Sequence, residues 1–442
     1  MSENKIISYF KSQVKPGEWK SLIWSFLYFY FLLTGYFILR PIREVMGVTA
    51  GPENYDLLFS ATFIVMLLIQ PIYGKIVSTY SRKQFIPLIY GFFAICILAL
   101  WAILKNFGTD NVMLARIFFV FVSVYNVFVV SVFWSFMSDV YNKKQGKRLF
   151  GVIAAGGSTG GITGGLITAA LVHKIGTINL LLVSFGFLLL CIFAVYKVRE
   201  FANESTENKE APIGGSPIEG MKLIFSSKLL QQIALMTVMS VLIGGIFYTL
   251  QGYFVKEYFP ETSTRTAVFA NINTVTNMFT LFFQLILTPL FLQKFEIHKI
   301  LGIYPVMMIF AFTLFGFFPV LNVVLGGIIM QRSGAYGIMK PPTDWLFTGL
   351  SKNIKYKFKN FLDTVIYRAG DVFTQLFFVN SAVWFSAYLI KQTGNEAYNI
   401  KLILAISGFI FSIIWLINAI KVGKLANETF NNKKVDSTTL AH

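Results

Sequence analysis

The sequence predicts an all-α polytopic membrane protein with twelve transmembrane helices, and three observations carry that reading. The 442 residues are 55% apolar and 17% aromatic, with 47 Phe, while 13% are charged, against roughly 25% in an ordinary soluble chain. Apolar runs recur from end to end, each long enough to cross a hydrocarbon core of about 30 Å. Helices satisfy their own backbone in lipid, and runs of this length do not suit barrel strands, which are shorter and alternate.

The spans fall, in order, at 21–46, 55–80, 84–104, 111–140, 148–173, 177–198, 229–254, 266–293, 298–320, 322–348, 358–390 and 398–422. Residues 1–20 form a polar segment with Lys5, Lys11, Lys15 and Lys20, and no small-residue cleavage site follows the first apolar run, so that run reads as an uncleaved anchor. Basic residues favour the cytoplasmic side in short loops. The amino terminus, Lys75 with Arg82 and Lys83, Lys143 to Arg148, Lys197 to Lys228, Lys294 with Lys299, Lys352 to Lys359 and Lys421 to Lys434 all fall on one side. On the other side stand Gly51 to Asp56, Gly108-Thr109-Asp110 and Thr393 to Glu396, with Lys256 and Arg265 balanced by Glu257 and Glu261. Both termini are therefore expected in the cytoplasm, and the bilayer is expected to be a bacterial inner membrane.

The net charge of +17 sits in these loops and not on one stripe or tail, which argues against a nucleic-acid partner. Cys96 and Cys191 both lie inside apolar runs, and His173, His298 and His442 are isolated, so no disulfide framework, metal site or cofactor is expected. No nucleophile and base stand in a hydrolase-type pattern, and an enzyme is not expected.

Glu200 to Pro217 is the longest polar segment between spans and divides the chain six plus six. The expected organisation is a bundle at 21–198, a linker at 199–228, a second bundle at 229–422 and a tail at 423–442. Two six-helix halves related by an axis along the membrane normal are the major facilitator architecture. The loop Gly74-Lys75-Ile76-Val77-Ser78-Thr79-Tyr80-Ser81-Arg82-Lys83 resembles the loop signature of that superfamily, with Ser78 and Ser81 at its usual Asp and Gly.

Function is expected to centre on Met339 to Asp371, where a lysine-rich loop joins two apolar segments. Arg368 and Asp371 lie about ten residues beyond the loop, roughly 15 Å into the span. A charge at that depth costs at least about 2.5–3.5 kcal/mol, so it should face the protein interior or a watery cavity. An internal Arg368–Asp371 pair is the structural alternative, and Asp371 or Asp363 would be a proton or cation site if left unpaired. Arg332 and Lys340 place two more cations deep in the tenth span.

In the first span Arg40 and Arg43 share a helix face, and Glu44 lies four residues from Arg40. They read either as interfacial snorkelling or as an anion clamp, since guanidinium forks suit phosphate and carboxylate oxygens. The deep charges lean positive, favouring a small anionic substrate. Tyr125 with Asn126, Tyr248 with Gln251, and Asn273 with Asn277 and Gln284 either line a path for a heterocycle or sugar or tie helices together. Gly156 to Gly165 resembles a phosphate loop in composition, but lacks the following Lys-Ser/Thr and a preceding strand, and is expected to be a close helix contact or a gate segment.

At Leu39-Arg40-Pro41-Ile42-Arg43-Glu44-Val45, Phe133-Trp134-Ser135-Phe136 and Lys340-Pro341 through Asp363 to Tyr367-Arg368-Ala369-Gly370, the chain resembles the plastid and intracellular-bacterial ATP:ADP antiporters and their bacterial relatives. Arg43-Glu44 occupies the place of that family's first-span Lys-Asp, and Arg368-Ala369-Gly370-Asp371 that of its eleventh-span Lys-Ser-Gly-Gly. The family's carboxylates of the fourth and seventh spans have no counterpart near Val122 to Tyr125 or Tyr248 to Gln251. The resemblance implies a divergent, monomeric secondary carrier using alternating access for a nucleotide such as ATP or ADP, or a related anion, by exchange or proton symport. The alternatives are a proton-coupled carrier or exporter of another compound, and a lipid-handling or scaffold protein without transport.

Overall fold

A computed structural model describes residues 14–15, 17–79, 82–201, 223–225, 227–348, 358–359, 361–396 and 399–439. Within them the backbone is helical almost throughout, and no strand occurs. Among the described residues, ten helices are long and apolar enough to cross a membrane. One of these, Lys143–Phe201, holds two of the expected spans and is interrupted at Gly176, whose φ of +80° a side chain would resist. Residues Leu321–Thr348 add a further helical run broken by a π turn, so the twelve expected spans each have a helical counterpart among the described residues.

Helix ends differ from the expected boundaries for local reasons. The first helix, Trp19–Ala50, passes through Pro41 and continues to Gly51, whose φ of +98° stops it. The fourth, Val112–Val140, begins at Asn111, whose side chain accepts from the Met113 and Leu114 amides at 3.0 and 3.1 Å. The last, Ile400–Thr439, runs well past the boundary expected at residue 422: no proline stops it, Lys421, Lys424, Leu425 and Ala426 favour the helix, and Gly423, a poor helix former, lies where the helix packs closely on His298. The residues of the expected linker from 202 to 222, the whole of the 349–357 loop, and Tyr80 and Ser81 of the Gly74–Lys83 loop lie outside the described set.

The helices group into two compact units. One comprises Met1–Gly51, Ile64–Glu210 and Phe259–Asn277; the other comprises Pro52–Phe63, Ala211–Tyr258 and Met278–His442. In the first unit the opening helix is packed against Lys143–Phe201 along the glycine run. A Cβ on Gly156, Gly160 or Gly164 would lie 2.4–2.6 Å from the backbone oxygens of Phe26, Tyr30 and Thr34. On the other side, Cβ atoms on Gly161 and Gly165 would strike Asn277 and Thr274. These glycines are a two-sided packing seam, as small residues are between membrane helices.

The second unit is closed by aromatic contacts. Phe247 stacks on Phe312 with ring centroids 4.5 Å apart, and Tyr304 meets Trp415 edge-on at 4.8 Å. Among the described residues, four π turns interrupt its helices, at Phe283–Leu287, Ala335–Met339, Leu362–Ile366 and Thr374–Val379. Such turns are uncommon and concentrate at functional sites.

Candidate functional site

In the second unit, three helices surround a cavity of about 310 Å³. Lys340 and Arg368 both line it, together with Ser240, Tyr336, Asp344 and Tyr367. Each cation directly follows a π turn: Lys340 follows Ala335–Met339, and Tyr367-Arg368 follows Leu362–Ile366. The seventh span, Lys228–Tyr258, supplies the opposite wall through Met236, Thr237 and Ser240.

The charges around this cavity are only partly cancelled. Asp344 is engaged at 2.5 Å by Lys359, whose ammonium also lies 5.7 Å from the centre of the Phe347 ring. Arg368 and Asp371 are 3.6 Å apart, with side chains 38% and 21% exposed. The ion pair weighed from the sequence is thus formed, and it leaves the guanidinium open to solvent. Among the described side chains, Lys340, Lys359 and Arg368 stand against Asp344 and Asp371, an excess of one positive charge by formal count. The exposed ring of Tyr336 and the half-buried Tyr367 add flat surfaces beside the cations.

Arg332, expected beside Lys340, is not part of this lining. It is 9% exposed and donates to the Gln251 side-chain oxygen at 3.3 Å. A few residues away, Thr249 donates to Gln375, whose amide donates to the Gly245 carbonyl. Tyr248 packs on Tyr55 and Phe59, with centroids 5.1 and 5.4 Å away. The Asp363 side chain lies outside the described residues.

In the first unit Arg40, Arg43 and Glu44 do come together. Glu44 is 2% exposed and takes Arg43 at 2.5 Å and Arg40 at 3.9 Å. Arg43 also donates to Ser123 at 3.4 Å, and the two guanidinium groups lie over the Phe37 and Phe119 rings. The geometry is that of a buried carboxylate holding two part-exposed forks. Tyr125, 1% exposed, is packed within the aromatic group of Phe93 and Phe121, Asn126 is half-buried, and Asn277 abuts Gly161 in the glycine seam.

Several contributors to the cavity had little signal in the sequence. Ser240 and Thr237 are ordinary small polar residues of an apolar span, and Tyr336 and Tyr367 are two tyrosines among 20. The dipeptide Pro341-Pro342 did carry a signal, because two consecutive residues without an N–H must leave two helix carbonyls unpaired.

Residues 54–343 match the sequence profile of the Major Facilitator Superfamily. No curated protein sequence matches the chain. Among solved structures, a bacterial homologue of the human lysosomal transporter Spinster is 15% identical, with a TM-score of 0.58, over 95% of this chain and 98% of the other. An auto-inhibited POT family peptide transporter is 11% identical, with a TM-score of 0.63, over 90% and 96%. The nucleoside transporter NupG is 15% identical, with a TM-score of 0.57, over 91% and 99%. At these identities the likeness is one of fold.

Proposed function

The chain belongs to the Major Facilitator Superfamily, and from that premise we propose that it is a secondary transporter for a nucleotide or related phosphate-bearing anion. One observation carries the choice of substrate class: Lys340 and Arg368 converge on a single cavity beside Tyr336 and Tyr367, with a formal positive excess over the described carboxylates Asp344 and Asp371. A guanidinium and an ammonium suit phosphate oxygens, as a fork and as a point charge. The tyrosine rings suit the flat face of a base. The volume falls at the lower end of the range of small-molecule sites.

Arg40 and Arg43, held by Glu44, are a further candidate contact for an anionic group, as is Arg332 with Gln251. Transport would run by alternating access between two six-helix halves, as exchange or proton symport, in a monomer whose termini both face the cytoplasm. The resemblance to ATP:ADP antiporters supports the nucleotide reading. NupG is a nucleoside transporter, and a nucleoside is chemically adjacent to a nucleotide. A proton-coupled carrier or exporter of another compound is the second reading, and the pairing of Asp371 with Arg368 weighs against it.

The test is thermal stabilisation of the purified protein by a panel of nucleotides, sugar phosphates, dicarboxylates, peptides and lipids, because a ligand bound only by the folded state raises its stability. Stabilisation by a nucleotide, lost in Arg368→Gln, is the expected result. Stabilisation by a non-phosphate ligand alone would overturn the substrate class.

A further inference from the structure

The tenth span is helical on both sides of the π turn Ala335–Met339, and that turn decides which of its residues face the cavity. A π turn holds one residue more than the α-helix it replaces. Everything beyond it is therefore turned back by one residue's step, about 100° and 1.5 Å. With the turn in place, the Lys340 N–H bonds the Ala335 carbonyl, five residues back. The Tyr336 carbonyl, its partner in a regular α-helix, is released.

That released carbonyl accepts from the side-chain amide of Gln284 at 3.0 Å. Gln284 lies in the π turn Phe283–Leu287 of the eighth span, and the two π turns touch where a Cβ on Gly337 would lie 2.6 Å from that of Phe283. One turn on, Thr288 donates to the Gly337 carbonyl at 2.5 Å. The two bonds do different things. Gly337 has no i+4 amide donor because residue 341 is proline, and no i+5 donor because residue 342 is proline. Thr288 therefore serves the α and π forms equally. The Tyr336 carbonyl lacks a backbone donor only in the π form, so Gln284 favours π over α.

We propose that Gln284 is a positioning residue which holds the tenth span in its π register and thereby aims Lys340 and Asp344 into the cavity. In the α register Met339, Pro342 and Leu346 would take the places of Lys340, Thr343 and Phe347, and Thr343 that of Asp344. Met339, Pro342 and Leu346 are buried in the structure, and the cavity would lose both of the tenth span's charges. The functional meaning rests on the cavity being the substrate site, but the register itself can be read without any substrate.

The experiment measures thiol labelling rates on the full-length protein in detergent, with Cys96 and Cys191 replaced by Ser and Ala. Single cysteines are placed at Trp345, 45% exposed and taking the buried place of Leu346 in the α register, and at Met339, 7% exposed and taking the exposed place of Lys340. With Gln284 present, Trp345→Cys should label rapidly and Met339→Cys hardly at all. With Gln284→Met the order should invert, each rate moving by about tenfold as exposure is exchanged. Gln284→Leu, run in parallel, should give the same inversion should the Met variant not fold. Thr288→Val should leave the order unchanged. Unchanged rates in the Gln284 variants, a rise at both positions, or the same inversion in Thr288→Val would each overturn the proposal. Loss of nucleotide binding by the native chain would overturn the substrate reading and leave this result standing.

Discussion

Replacing Arg368 with Gln removes one positive charge from the cavity at small cost to the fold. The Arg368–Asp371 pair is 3.6 Å long, three residues apart on one helix, and part-exposed, so breaking it should cost no more than about 1 kcal/mol. A phosphate oxygen at about 4 Å from the guanidinium would gain about 4 kcal/mol at an effective dielectric of about 20. Because the side chain is 38% exposed, solvent screening should halve this to about 2 kcal/mol. That corresponds to a loss of about thirtyfold in affinity. Arg368→Lys, which keeps the charge and loses the fork, should lose less. The assay is the rise in melting temperature against ADP concentration for the three proteins. An Arg368→Gln protein that folds and keeps the native half-saturation would refute the reasoning, whatever its activity.

Two further outcomes follow from the first unit. Gly160→Ala would place a Cβ 2.4 Å from the Tyr30 carbonyl oxygen and should destabilise by about 1–3 kcal/mol through overpacking. Gly186→Ala, in the same helix with nothing within 4 Å of the new Cβ, should be neutral or stabilising by up to about 1 kcal/mol in parallel melts. Before the first span, burial pushes the Glu18 carboxyl up, but hydrogen bonds from Arg148, the Lys15 amide and Gln145 outweigh it and hold the pKa down at about 2. A depressed carboxyl contributes stability that is complete above its ordinary value of 4.5 and lost as pH falls through about 2. Melting temperatures taken from pH 7 to pH 2 should show this component in the native protein and lack it in Glu18→Gln.

Much of the fold was legible because membrane spans are written in composition and length. The run of apolar helices and the major facilitator architecture could both be read without coordinates. Register was harder. Sequence spacing assumes 3.6 residues per turn, and the π turns among the described residues of the second unit shift what lies beyond them. Arg332 and Lys340, counted together along one α-helix, are separated by such a turn. Lys340 reaches the cavity, while Arg332 is buried against Gln251. Pro341-Pro342 was the visible sign of this irregularity. The donors that answer it, Gln284 and Thr288, come from another span and had no local signal.

The central claim, transport of a phosphate-bearing anion through the Lys340–Arg368 cavity, is tested most directly by uptake of labelled ADP into liposomes containing the purified protein and preloaded with unlabelled ADP. Uptake that saturates and falls at least about thirtyfold in initial rate at low ADP concentration in Arg368→Gln is the predicted result. Failure of the native protein to take up ADP or any other phosphate-bearing anion, or uptake indifferent to both Arg368→Gln and Lys340→Gln, would contradict it.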